Sequence, residues 1–259
     1  SMDSFTMSST EGGTYSLAQT TGLSFTTGDG TDDNAMVFSG TVANINSAIA
    51  TITWTSASND DDNAVLTMTP NDGADGADDT VAITVNAVND APSSAGDTAT
   101  VNEDTAYVSW TTEGDWGYSD VESSAMTQIK LITLPGEGTL TDDDEGACNT
   151  QGDGTCEVDD IIVLAKLDDL FYTGDSNFNG ADSFTYQVYD GTAWSGTGTM
   201  AITVSAVNDV PTWSASASDV SGNEDTAISI TGSTIADVDD SSMDSFTMSS
   251  TEGGTYSLA

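Results

Sequence analysis

DSFTYQVYDGTAWSGTGTMAITVSAVNDVP, residues 182–211, reads as two strands with the turns that bound them. The runs 182–189 and 199–204 are alternating or β-branched, and Asp190-Gly191 punctuates between them. The same grammar extends outward through the chain. Further strand runs are AMVF (35–38), ATITWT (50–55), AVLTMT (64–69), TVAITV (80–85), AYVSW (106–110) and IKLITL (129–134), separated by GDG, NDG, DG and NG. Their spacing of about ten to fifteen residues predicts an all-β sandwich of short strands. Helix is confined to VANINSAIA (42–50) and LAKLDDL (164–170), where apolar residues recur at helical spacing and plug the core rather than bind a cofactor.

The composition narrows what such a protein can do. Its 259 residues carry 43 Asp and Glu against 2 Lys and Arg, with no His, for a formal net charge of −41. The basic residues are Lys130 and Lys166. Without His there is no Ser-His or Cys-His pair and no His-ligated zinc. Without Arg there is no bidentate phosphate clamp. So strong a polyanion is repelled by nucleic acid and by anionic lipid. The 37% of hydrophobic residues and only 4 prolines argue against disorder. Self-repulsion still opposes compaction unless salt or bound cations offset it, and clustered carboxylates with Asn carbonyls are hard oxygen donors that suit Ca2+.

Two repeats set the domain plan. SMDSFTMSSTEGGTYSLA occurs at 1–18 and again, letter for letter, at 242–259, a period of 241 residues. Inside it, NAVNDAP (86–92) returns as SAVNDVP (205–211), 119 residues on, and NEDTA occurs at 102–106 and 223–227. The period therefore holds two modules. Residues 91–209 are a complete module A, 1–90 the C-terminal part of module B, and 210–259 the N-terminal part of the next module B. Such a chain is a stretch of a tandem array or of a periodic fibre. No run is apolar enough to span a bilayer and no signal-peptide pattern opens the sequence, which says nothing about export from mid-array.

NFNGADSFTYQVYDG (177–191) with TMAITVSAVNDVP (199–211) resembles bacterial cadherin-like and VCBS-type repeats of giant secreted adhesins and surface fibre proteins. TTGLSFTTGDGTDDNAMVFSGTVANINSAIATITW (20–54), closing with DTVAITVNAVNDAP (79–92), resembles a sister version. The resemblance covers essentially the whole chain. It implies tandem cadherin/immunoglobulin-like Greek-key β-sandwiches of seven strands, with Ca2+ at the inter-module junctions. By that likeness the A-to-B junction uses Glu103, Asn208, Asp209, Asp237 and Asp239, with Asp190 as a further candidate. The B-to-A junction uses Asn89, Asp90, Asp120 and Glu122, with Asp72 analogous to Asp190. Its Glu corresponds to Glu224, which belongs to the next copy of module B. VNDAP is one residue shorter than the cadherin linker DxNDNxP.

A physical reason stands beside the likeness. A two-residue linker between sandwiches hinges freely, and carboxylates from both sides approach only when a divalent cation neutralises them. Glu103 and Glu224 read as ligands because Glu is scarce and both sit in NEDT. Asp60–Asp62 and Asp142–Asp144 read as solvated turns. NDGADGADD (71–79) resembles the opening of an EF-hand loop but lacks its bidentate Glu. Cys148 and Cys156, eight apart in CNTQGDGTC, read as a disulfide closing a loop in module A, which points to an extracellular or cell-surface setting.

These readings favour an extracellular filament, stalk or adhesin segment: a Ca2+-stiffened rod whose partners are neighbouring copies of itself, each module spanning about 35–45 Å and each period advancing roughly 80 Å. A glycan- or surface-binding module is the alternative, with Trp116 in GDWGYSD as its best exposed residue beside Trp194 and Trp213, while Trp54 and Trp110 sit in strand patterns. An enzyme is not expected, because tandem sandwiches offer no pocket to raise a carboxyl pKa. Successive copies connect either as one continuous polypeptide, the favoured option, or by strand donation, with residues 210–259 of one chain completing residues 1–90 of another.

Overall fold

The computed structural model describes residues 2–107, 110–142, 148, 154–251 and 255. The chain forms two compact units, residues 1–90 with 120–124, and residues 91–119 with 125–259.

The first unit contains β1 (Met2–Ser9), β2 (Thr14–Leu17), β3 (Leu23–Thr27), β4 (Met36–Gly40), α1 (Val42–Ile49), β5 (Ile52–Thr55), β6 (Ala64–Asn71) and β7 (Asp79–Ile83). Five strands hydrogen-bond in the order β3-β4-β1-β6-β7, and β2 pairs with β5 in a separate two-stranded sheet. Alternation places Phe5, Met7, Met36, Phe38 and Leu66 in a shared core with Tyr15 and Ile45. Helix α1 starts at Thr41, whose Oγ1 accepts the Asn44 N–H at 3.2 Å. That cap satisfies one of the orphan donors of the first turn. Ile45 and Ala48, three apart, turn inward. Strand β7 is an edge, and its outward row is mostly exposed.

The second unit contains β8 (Ser93–Ser94), β9 (Asp97–Asn102), β10 (Ala106–Tyr107), β11 (Tyr118–Ser119), β12 (Gln128–Thr133), β13 (Gly138–Asp142), β14 (Ile161–Val163), β15 (Leu170–Gly174), β16 (Gly180–Tyr189), β17 (Gly198–Ser205), β18 (Thr212–Ala215) and β19 (Thr234–Ala236). One sheet runs β14-β12-β16-β17-β9 and the other β10-β15-β13, with the pairs β8-β11 and β18-β19 beside them. Phe184, Tyr186 and Val188 on β16 and Met200, Ile202 and Val204 on β17 meet Leu140, Leu170 and Tyr172 of the other sheet in one core. All ladders are antiparallel except β9 on β17, which run parallel from Asp97 opposite Met200 to Asn102 opposite Ser205. The approach of β8 to β11 requires glycine. Gly117 has φ +57°, and a Cβ there would stand 2.5 Å from the Gly96 carbonyl oxygen.

The helical run 164–170 is a 3-10 turn, Leu164–Asp169, that buries Leu167. The strand read over 106–110 is short: Ala106–Tyr107 pair with β15, Trp110 is core, and Val108 and Ser109 lie outside the described residues. Two readings are corrected. Trp116, taken as the best exposed aromatic, is fully buried on Tyr186 at a centroid distance of 4.7 Å. The 3-10 turn Glu113–Trp116 carries it inward, where a large ring gains more from the core than from solvent. Asp142, taken as a solvated turn residue, is buried, and its Oδ2 accepts the Cys148 N–H at 3.0 Å. Asp143 and Asp144 lie outside the described residues. Asp60–Asp62 do form a turn, with Asp60 Oδ1 accepting the Asp62 N–H.

Some of the acids are satisfied within the fold. Asp182 accepts the N–H groups of Gly136 (2.9 Å) and Glu137 (3.1 Å) through its two oxygens and the Tyr172 hydroxyl (2.9 Å) through Oδ2. Burial, followed by that bond and the Asp182 charge, pushes the Tyr172 phenol well above its ordinary value, which keeps it a donor. Asp182→Ala strands these donors and is expected to destabilise the protein by about 2–3 kcal/mol, read as a lower denaturation midpoint. Cys148 and Cys156 form a disulfide whose sulfurs are buried in the second core. Its reduction is expected to cost about 2–3 kcal/mol, as the closing of so short a loop implies, measured by the same titration with and without reductant.

Candidate functional site

Two acidic sites sit at the two VND linkers, and they are built alike. At the first, Glu103 follows directly on β9. Its N–H donates to the Ser205 carbonyl at 3.0 Å, and its Oε1 accepts the Val207 N–H at 2.6 Å, so it holds the end of β17 and the start of the linker. Glu103 is 2% exposed, and its Oε2 is a buried oxygen with no hydrogen-bond partner among the described residues. Asp209 donates its N–H to Asp239 Oδ2, while its own Oδ2 is buried and likewise unpartnered. Asn208 Nδ2 donates to the Asp209 carbonyl at 2.6 Å. Asp237 Oδ1 accepts the N–H groups of Asp239 (3.0 Å) and Asp240 (2.8 Å), folding the ADVDD turn toward the linker.

Electrostatics follow from this crowding. Burial of its carboxylate, and then the charges of Asp104, Asp239, Glu103 and Asp237, hold the Asp209 carboxyl above its ordinary value. Asp104 is the member that the sequence reading passed over. It stands beside Glu103 in NEDT, takes a left-handed φ of 57°, and its Oδ1 accepts the Asn177 N–H at 3.2 Å.

The second site lies in the first unit. Asp90 donates its N–H to Glu122 Oε2 at 3.2 Å, as Asp209 does to Asp239, and Asn89 Nδ2 donates to the Asp90 carbonyl at 2.7 Å, as Asn208 does to that of Asp209. Asp120 Oδ1 accepts the Ser124 N–H at 2.8 Å, and its Oδ2 is buried without a partner among the described residues. An open groove here is lined by Asp60, Asp61, Asp90 and Glu122.

Three predicted residues are employed elsewhere. Asp190 is buried in its own turn, where its Oδ1 accepts the N–H groups of Thr192 (2.6 Å) and Ala193 (2.7 Å). Asp72 does the same for Ala74 and Asp75, and these backbone donors hold its carboxyl below its ordinary value. Glu224 lies exposed in the segment between β18 and β19. Among the described residues no three Cys, Asp or Glu side chains are already gathered to hold a metal ion. What the sites offer is carboxylate and amide oxygen in quantity and three carboxylate oxygens that are buried without a hydrogen-bond partner among the described residues. Hard oxygen donors of that kind fit Ca2+ and do not fit a soft metal.

The aromatic surface is sparse. Trp110 is buried, Trp54 is half-buried, Trp194 stacks on Tyr189 at 4.6 Å, and Trp213 is exposed.

Residues 89–203 match the family model described as a bacterial Ig domain. The match runs from the first VND linker into β17 and supports a bacterial Ig-like repeat there, in keeping with the all-β Ig-like sandwich fold of the chain. Such domains are commonly surface-displayed structural or adhesion modules, and the fold is typically non-enzymatic. Among solved structures, the chain is similar to the human desmocollin-1 ectodomain, with 11% identity, 82% of this chain and 37% of that one covered, and a TM-score of 0.28. It is similar to the C-terminal domain of the AgI/II polypeptide BspA of Streptococcus agalactiae, with 9% identity, 76% and 83% covered, and a TM-score of 0.23. It is similar to titin domains Z1Z2 in complex with telethonin, with 10% identity, 76% and 82% covered, and a TM-score of 0.21. The chain thus spans 37% of the length of the desmocollin ectodomain. No curated protein matches it. Among the described residues no helix is long and apolar enough to cross a membrane.

Proposed function

We propose that this chain is a repeating segment of an extracellular filament, stalk or adhesin of the cadherin-like, VCBS-type kind, and that Ca2+ bound at its VND linkers stiffens it into a rod. One observation carries the reading: Glu103, 2% exposed, has a carboxylate oxygen with no hydrogen-bond partner among the described residues, beside a linker whose Asp209 has another. A buried carboxylate oxygen left unpaired costs several times what a satisfied one contributes. Two of them at one linker in a chain of net charge −41 call for a cation. At the first linker Glu103, Asp104, Asn208, Asp209, Asp237 and Asp239 would hold the ion, and at the second Asn89, Asp90, Asp120 and Glu122. Bound there, Ca2+ supplies the positive charge that lets these oxygens close together and so removes the hinge. The partners of such a segment are further copies along the same fibre. Surface display follows from the same reading and agrees with the disulfide, which persists only in oxidising surroundings. The glycan-binding alternative loses its best residue with the burial of Trp116.

Thermal melts in Ca2+ and in EDTA test the reading. Ca2+ at a hundred times its dissociation constant is expected to stabilise the chain by about 2.7 kcal/mol per site, or about 5–10 °C in melting temperature. An unchanged melt would sink the proposal. Asp209→Asn separates repulsion from binding. In EDTA it is expected to raise the melting temperature, because it relieves the crowding of like charge. In Ca2+ it is expected to forfeit most of the gain at its own linker, whereas a residue that is merely solvated would show neither effect.

A further inference from the structure

We propose that strand β14 is a docking edge, on which a second copy of this chain lays its own β14 antiparallel about a two-fold axis and so joins the two sheets into one. Strand β14 ends the sheet β14-β12-β16-β17-β9, with β12 as its one neighbour among the described residues. Every strand of that sheet lies between the two VND linkers, inside module A. The Asp160 carbonyl accepts the Leu131 N–H at 3.0 Å, and the Leu164 N–H donates to the Thr127 carbonyl at 2.9 Å. Backbone groups along an antiparallel strand point alternately to its two sides. Ile162 therefore also turns its N–H and C=O toward β12, and those of Ile161 and Val163 point out of the sheet.

The side chains set this edge apart. Ile161 is 50% and Val163 42% exposed, while Ile162 between them is buried. The opposite edge, β9, turns Thr98, Thr100 and Asn102 outward, and β13 turns out Thr139 and Thr141. An exposed edge row of β-branched apolar residues is a template for strand addition. Charge points to a second copy as the occupant. The chain has 2 basic residues against 43 acids, and both basic residues flank β14. Lys130 is the β12 partner of Ile161, and Lys166 follows Val163 in the 3-10 turn. A polyanion that kept its own copies from an edge would place acid there, because acid repels another copy and lysine attracts it. The outward row of β12 and β14 instead reads Gln128, Lys130, Ile161 and Val163, with no carboxylate.

The outward backbone groups fix the register. Ile161 of one copy stands opposite Val163 of the second copy and exchanges both N–H···O=C bonds with it, and the two-fold axis repeats the exchange. Across the seam the row then runs Lys130, Ile161, Val163, Gln128, so β-branched side chains meet and no two like charges stand opposite. Along the strands, Asp159 comes level with Ala165 of the second copy, next to Lys166 of that copy. Within one copy Lys130 already holds Asp159 at 2.8 Å and Lys166 holds Asp169 at 3.1 Å, so cations and acids of this edge are within reach of each other on both sides of the seam. So short a strand makes a small interface of the weak class. The pairing is isologous, and it does not rest on calcium at the linkers.

Sedimentation of the full chain tests the proposal. EDTA keeps any cation off the linkers, and about 0.5 M salt screens charge repulsion to a few ångström. A concentration-dependent dimer is expected. Ile161→Asp and Val163→Asp, both at exposed positions, are expected to leave the melt unchanged and to weaken the dimer about tenfold or more, because each sets like charge into the seam. Thr100→Asp, on the edge strand β9, is expected to leave the dimer as it is. Oxidation reads the register: tagged Ile161→Cys chains mixed with Val163→Cys chains are expected to give more disulfide-linked dimer than either variant alone. A chain that stays monomeric at millimolar concentration, a dimer that survives Ile161→Asp and Val163→Asp, an equal loss from Thr100→Asp, or no excess of the mixed disulfide overturns the proposal.

Discussion

The parallel ladder between β9 and β17 is the contact on which the complete module depends. It ties the first long strand to the last, so closure of the sandwich requires chain segments about a hundred residues apart to meet. It also fixes Glu103. Because the N–H of Glu103 continues the ladder to Ser205, its side chain has no choice but to stand over the linker, where it accepts from Val207. The acid at the junction is thus a product of strand register. A one-residue slip of β9 would turn Ala99 and Val101 out of the core and send Glu103 to the wrong face.

Register concentrates charge at the linkers, and charge is what the fold otherwise has to tolerate. Much of the acid is absorbed by the backbone: Asp190, Asp72 and Asp60 accept N–H groups within their own turns and Asp182 those of Gly136 and Glu137, which gives each carboxylate a donor without any counter-ion. The linker acids differ because Asp209 feels the charges of Asp104, Asp239, Glu103 and Asp237 around it. Glu103 gives one oxygen to the Val207 N–H, the Asp209 N–H donates to the Asp239 carboxylate, and Glu103 Oε2 and Asp209 Oδ2 stay buried without a partner among the described residues. Local satisfaction therefore sets acids apart better than any count of Asp in a stretch: Asp190 and Asp72, likened to linker ligands, each give Oδ1 to the backbone of their own turns.

This distinction was only partly legible in the sequence. Alternation gave away β16, β17 and β12, because their inward residues are large and apolar. Strand β9 escaped notice: DTATVN carries only Ala99 and Val101 inward, and a polar strand of that kind gains its place from the ladder rather than from its own pattern. Trp116 misled for the same reason in reverse, since the glycines around it look like a surface turn although they exist to let a turn fold inward. Asp104 was hidden by its neighbour. Nothing in NEDT says which acid will cross a left-handed backbone and which will follow the strand.

The eighteen duplicated residues carry the point further. Residues 2–9 form a strand because β4 and β6 lie on either side of them, supplying hydrogen bonds along both edges. The same letters from 243 onward have neither neighbour and form no strand. Propensity is identical in the two places, so the difference is tertiary context alone. In the second unit, closure of the sandwich and the placing of its linker acid are one event: β9, which completes the sheet, is followed at once by Glu103, which reaches the linker.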